Sequence, residues 1–183
     1  MRKIDRVGES FVSQQDSPFT IVEYNSTKDV VVEFQDEFKA RVHTTYHHCL
    51  RGGVKNPYVP SVFGVGCLGE LPSNVKININ GKKMREYTCW QSMLQRCYSA
   101  GYQKRYPSYI GCEVCERWKV FANFLEDLPK IEGYQFWKDN PNQRISLDKD
   151  IKGDGTKIYS IETCCFISNA DNIKEANNRR FTV

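Results

Sequence analysis

The segment that most restricts what this chain can fold into lies near its carboxyl end. Ser146-Leu147-Asp148-Lys149-Asp150-Ile151 precedes a polar Gly-rich loop, Tyr159-Ser160 and Thr163-Cys164-Cys165-Phe166-Ile167. Two short apolar runs around a polar loop predict a β-hairpin, and residues 168–178 then predict a helix. Asp148 on the first strand and Asn172 on the helix would face each other across this ββα unit. Two oxygen ligands suit a hard cation such as Mg²⁺ better than zinc. Such a pair is one way for a small protein to hold a metal against a phosphodiester.

The same residues resemble the C-terminal motif of phage-type HNH-like proteins of the homing-endonuclease kind. There a Leu-Asp-Arg/Lys hairpin segment is followed by a Tyr-Ser-Pro-x-x-Cys turn and an Asn-Asn-Arg-Arg tail. Here Ile161 stands where that turn usually has proline. Upstream, Trp90-x-x-Met93-Leu94-x-Arg96-Cys97-Tyr98, Tyr106-Pro107-x-Tyr109, Gly111-Cys112-x-x-Cys115-x-x-Trp118 and Phe121-x-x-Phe124 fit the same proteins. The resemblance spans about residues 64–180. It implies a ββα-metal fold, DNA as the target, and a phage or mobile-element origin.

One position departs from the pattern in a way that bears on chemistry. Active members typically carry a His after the strand Asp, and that His deprotonates the attacking water. This chain has Lys149 there. A lysine with its ordinary pKa of about 10.4 is protonated at neutral pH and accepts no proton. Asp148 and Asp150 flank it, and both would hold the proton on. His43, His47 and His48 lie about a hundred residues upstream. Lys149 would instead contact the scissile phosphate, or mark a site that binds DNA without cutting it.

Charge distribution says more than the net charge of +4. Lys82 to Lys119 holds eight basic residues against three acidic ones, which leaves the rest of the chain close to neutral. Lys82, Lys83, Arg85, Arg96, Lys104 and Arg105 from this stretch are candidate DNA contacts, together with Arg144, Arg179 and Arg180. The interleaved Tyr87, Tyr98, Tyr102, Tyr106 and Tyr109 suit base or sugar packing, although a solvated helix face would read the same way. The arginines near the carboxyl end would also interact favourably with a helix dipole.

Eight cysteines without a signal-peptide-like start predict reduced thiols, and no apolar run reaches membrane-spanning length. The expected location is the cytoplasm of the infected host cell. Cys112-x-x-Cys115 has zinc-ligand spacing, with Cys97, Cys164 or Cys165 available to complete a tetrahedral set. A lone C-x-x-C fits buried small hydrophobes equally well. Alternation points Cys164 and Cys165 to opposite faces. His47-His48-Cys49 diverge on any regular element and read as local packing.

In order along the chain, residues 1–60 predict a small β-rich module that positions DNA or a partner. Its strands are Phe19–Tyr24 and Val30–Phe34, a third lies near 38–43, and a short helix over 46–50 stops at Gly52-Gly53. Strands are expected over 62–68 and 75–79, the latter turning at Asn80-Gly81. A helix from about Thr88 buries Trp90, Met93, Leu94 and Cys97. Residues 102–109 predict a loop, and a helix over 118–128 turns Glu126 and Asp127 to solvent. Residues 131–142 predict an exposed connection. The fold class is therefore α+β, with a β module over 1–60 and an HNH-like ββα-metal core with flanking helices over 61–183. The expected function is DNA binding, with Mg²⁺-dependent nicking if active. The alternative is a catalytically silent scaffold that regulates, or inhibits a host defence protein.

Overall fold

In the amino-terminal part, β-branched and aromatic runs alternate with turn residues, and an antiparallel meander results. A computed structural model describes residues 5–149 and 156–168. The chain divides into two compact units, Met1–Val59 and Pro60–Val183. Among the described residues of the first unit, β1 (Ser10–Val12), β2 (Pro18–Ser26), β3 (Asp29–Phe34) and β4 (Arg41–Thr44) pair in that order, all antiparallel. Phe19, Ile21, Val30, Val32 and Phe34 point to one face and are buried there. α1 (Tyr46–Leu50) is capped by Thr45, whose hydroxyl accepts from the His48 amide, and it adds Cys49 to that core.

The expected third strand starts later than its apolar residues suggest. Asp36 accepts from the amides of Phe38 and Lys39 at 3.0 and 3.1 Å, and Lys39 takes φ +51°. Those residues form a turn, so pairing begins only at Arg41. β1 carries just two apolar residues and gave no sequence signal.

The second unit packs helices around a short antiparallel pair. Its described elements are β5 (Asn78–Ile79), β6 (Lys82–Lys83), α2 (Arg85–Tyr98), α3 (Ala100–Arg105), β7 (Glu113–Val114), α4 (Glu116–Lys119), α5 (Phe121–Asp127), α6 (Tyr134–Asp139), β8 (Ile145–Asp148), β9 (Ile158–Tyr159) and β10 (Cys165–Ser168). Short 3-10 turns occupy Pro107–Tyr109 and Leu128–Lys130. β5 and β6 form the hairpin predicted at Asn80-Gly81, with φ of +51° and +77° at the two turn residues. β8 pairs antiparallel with β10, while β9 pairs parallel with β7. α2 buries the predicted stripe of Trp90, Met93, Leu94 and Cys97 against Trp118 and Phe121. The Trp90 indole donates to the Trp118 carbonyl at 2.6 Å.

Several expectations are corrected. Residues 62–68 form no strand: Val62 and Gly66 exchange two hydrogen bonds across a turn in which Phe63 and Gly64 have positive φ. The helix expected over 118–128 breaks at Val120. Cys67 bridges it there in a parallel sense, with Cys67 donating to Lys119 and Phe121 donating to Cys67. Residues 102–109 are mostly helical, because Ser99 caps α3 by accepting from the Tyr102 amide and Pro107 only ends it. The exposed connection over 131–142 contains α6, whose Trp137 is buried and stacks on Phe166 at 4.8 Å.

Gly133, at φ +79°, is the cap of α6, and a Cβ there would run into the Phe166 carbonyl. Phe166 already donates its amide to the Glu132 carbonyl at 2.8 Å, so β10 cannot retreat without losing that bond. Gly133→Ala should therefore lower unfolding free energy by about 2–4 kcal/mol. The check is a denaturant midpoint shift at unchanged slope.

Candidate nucleic-acid interface

Alternation along β8 sorts the candidate residues onto two faces. Ile145, Leu147 and then Lys149 are buried, while Ser146 and Asp148 are half-exposed on the other side. Lys149 is only 5% exposed, and its ammonium lies 5.9 Å from the Tyr159 ring centroid. The position after Asp148, expected from the sequence pattern to touch the scissile phosphate, therefore faces the core, away from the side chain of Asp148. Asn172, Arg179, Arg180 and Asp150 lie outside the described residues.

The basic residues separate into two groups by what they touch. Arg117 pairs with Asp127 and Glu126, each at 2.7 Å, Lys119 pairs with Glu116 at 2.6 Å, and Lys130 pairs with Asp127 at 3.0 Å. Lys82, Lys83, Arg85, Arg96, Lys104, Arg105 and Arg144 pair with no carboxylate among the described residues. Lys83 donates to Gln91 at 2.8 Å and lies over the Tyr87 ring, which leaves its charge uncompensated. Their positive potential is thus available to an outside anion.

Two of these arginines are built into a cleft of about 210 Å³ between α2, α6 and β8. Arg85 lies 4.0 Å over the Trp137 ring and donates to the Trp137 carbonyl. Arg96 donates to the Leu147 carbonyl at 3.1 Å and to the Tyr159 hydroxyl at 3.4 Å. Thr88, Ser92 and Ser146 add hydroxyls to the lining. Burial pushes the Cys89 thiol there up to about 12, so it stays neutral at physiological pH.

Beyond Arg96, its guanidinium sits 5.8 Å from the Tyr109 ring. Tyr109 packs on Tyr102, which packs on Tyr106 at 4.8 Å. Tyr106 is 44% exposed, beside exposed Lys104 and Arg105. Tyr98, by contrast, is structural: its hydroxyl accepts from the Val114 amide at 3.0 Å and so fixes β7.

Cys112 and Cys115 flank β7. The Cys112 thiol reaches the Ser108 carbonyl at 3.9 Å, and Cys115 opens α4. Among the described residues no group of three or more His, Cys, Asp or Glu side chains converges on one point. Asp148 is thus the one described member of the expected Asp148–Asn172 pair. A site of one carboxylate and one amide suits Mg²⁺, which keeps several waters and binds through one or two carboxylates plus phosphate.

The cleft itself has no counterpart among the sequence motifs. Thr88, Ser92 and Ser146 are ordinary surface residue types, and Trp137 lay in a stretch expected to be exposed. The spacing of Arg85, Thr88, Ser92 and Arg96 at three, four and four residues was the available signal, since it places all four on one stripe of a helix. No described helix is long and apolar enough to cross a membrane. Comparison of the chain with protein-family models, curated proteins and solved structures finds no match in any of the three.

Proposed function

We propose that this chain is an HNH-like, phage-encoded nucleic-acid-binding protein whose target is DNA. One observation carries the reading: basic side chains that no described carboxylate neutralises border the strand that presents Asp148. Arg85 and Arg96 line a cleft beside that strand, and their contacts to Trp137, Leu147 and Tyr159 leave further N–H donors for an anion. In the active form of this reading, Asp148 and Asn172 would hold a Mg²⁺ ion, which supplies charge stabilisation at the leaving oxygen. Arg144 and the α2 arginines would orient the phosphate, and Arg179, outside the described residues, is a further candidate phosphate contact.

A second reading is favoured by the burial of Lys149. With its ammonium beside Tyr159, that side chain is poorly placed to accept a proton from water near Asp148. The scaffold would then bind DNA as a regulator without cutting it, or hold a host defence protein. Pull-down from host lysate with and without nuclease digestion separates these. A partner that survives DNA removal favours the protein-inhibitor form.

DNA binding itself is tested by fluorescence anisotropy across a salt series. Affinity should fall linearly on a log–log plot, and Lys82→Ala combined with Lys83→Ala should lower the slope by about 1–2. A wild-type protein that shows no salt-dependent binding overturns the proposal.

A further inference from the structure

The cleft between α2 and β8 has a shape that the Asp148 chemistry does not explain. Its volume of about 210 Å³ is below the roughly 300–1,000 Å³ of pockets that enclose a whole small molecule. A space of this size receives part of a longer ligand. Its helical wall presents, in order, Arg85, Thr88, Ser92 and Arg96. At 1.5 Å per residue the two arginine Cα positions stand roughly 16 Å apart along the helix axis. Cations at the two ends with hydroxyls between them match an elongated polyanion better than a single ion.

Both guanidiniums are fixed before any ligand arrives. Trp137 and its carbonyl hold Arg85, and the Leu147 carbonyl holds Arg96. A guanidinium carries five N–H donors, so each keeps donors for a phosphate after these contacts. No lining side chain is acidic. Ser146 lines the cleft from β8, two residues before Asp148 on the same side of the strand.

We infer that this cleft is a backbone-binding subsite that seats one strand of nucleic acid, with non-adjacent phosphates at Arg85 and Arg96 and the intervening backbone against the hydroxyls. This rests on the nucleic-acid reading above and adds the path of the strand, which leads along β8 to Asp148.

The test is anisotropy of the full chain with a short labelled single-stranded oligonucleotide, and with the same sequence carrying uncharged methylphosphonate linkages. Ser92→Glu places a carboxylate in the cleft, and the Ser92 side chain makes no hydrogen bond among the described residues that this would break. It should weaken binding of the phosphodiester strand tenfold or more and lower the salt slope by about one. The methylphosphonate strand should bind weakly to both proteins, with no difference between them. Ser73→Glu, the same charge change on an exposed turn away from the cleft, should bind like wild type. Thr88→Glu, at an exposed position of the same wall, gives the same comparison if Ser92→Glu does not fold. Unchanged affinity in the folded cleft variants overturns the subsite while the nucleic-acid reading stands. Absence of binding by the wild type removes both.

Discussion

Asp148→Ala is expected to reduce the proposed Mg²⁺-dependent nicking of supercoiled DNA by about 10²–10³-fold while changing DNA affinity only a few-fold. The rate loss corresponds to about 2.7–4 kcal/mol of transition-state stabilisation, the size expected when a group that organises charge at the leaving oxygen is removed. Affinity should survive because the proposed phosphate contacts lie elsewhere, on Arg85, Arg96 and the lysines of β6. The β8–β10 pair should survive too, since Asp148 is half-exposed and its strand is held by main-chain pairing with Cys165. Lys149→Met makes the contrast. Its position inside the core next to Tyr159 predicts a stability change with little loss of nicking. Equal background cutting by wild type and Asp148→Ala would remove the nuclease claim and leave a protein that binds without cutting.

Asp127→Ala should be strongly destabilising although it removes no large apolar side chain. Asp127 is 4% exposed, against the sequence expectation that it faces solvent. Its carboxylate accepts from Arg117 at 2.7 and 3.2 Å, from the buried Trp118 indole at 3.1 Å and from Lys130 at 3.0 Å. Truncation strands the indole N–H, which alone costs about 1–3 kcal/mol. With the lost ion pairs, screened because Arg117 and Lys130 are about half exposed, the total should reach about 2–4 kcal/mol. Asp127→Asn keeps an acceptor for the indole and should cost about half as much.

The same carboxylate makes stability depend on pH. Hydrogen bonds from Arg117, then Lys130 and Trp118, lower its pKa from 3.8 to about 2. A carboxylate with a depressed folded pKa contributes fully above its unfolded value and loses that contribution as pH falls through the folded one. The difference in stability between wild type and Asp127→Asn should therefore be constant above about pH 5 and shrink between about pH 4 and pH 2. Chemical denaturation at several pH values measures it. A difference that stays constant down to pH 2 would show that the carboxylate is not held in its charged form.

What the sequence determined by itself was local and periodic. The β2 and β3 runs, α1, the Asn80-Gly81 turn and the buried stripe of α2 follow from alternation, turn chemistry and 3.6-residue spacing. A regular pattern of apolar residues needs no distant partner to be read. The tertiary structure decided whatever depended on a partner far along the chain. Val120 leaves the helix because Cys67 pairs with it, Asp127 turns inward because Arg117 and Trp118 receive it, and Trp137 becomes a wall because Phe166 and Arg85 close on it. The candidate site divides the same way. Asp148 and the basic residues were legible as residue types in a motif, whereas the burial of Lys149 and the cleft joining Arg85 to Arg96 exist only once β8 is laid beside α2. A side chain's charge is written in the sequence, but what neutralises, buries or exposes that charge is set by residues fifty positions away.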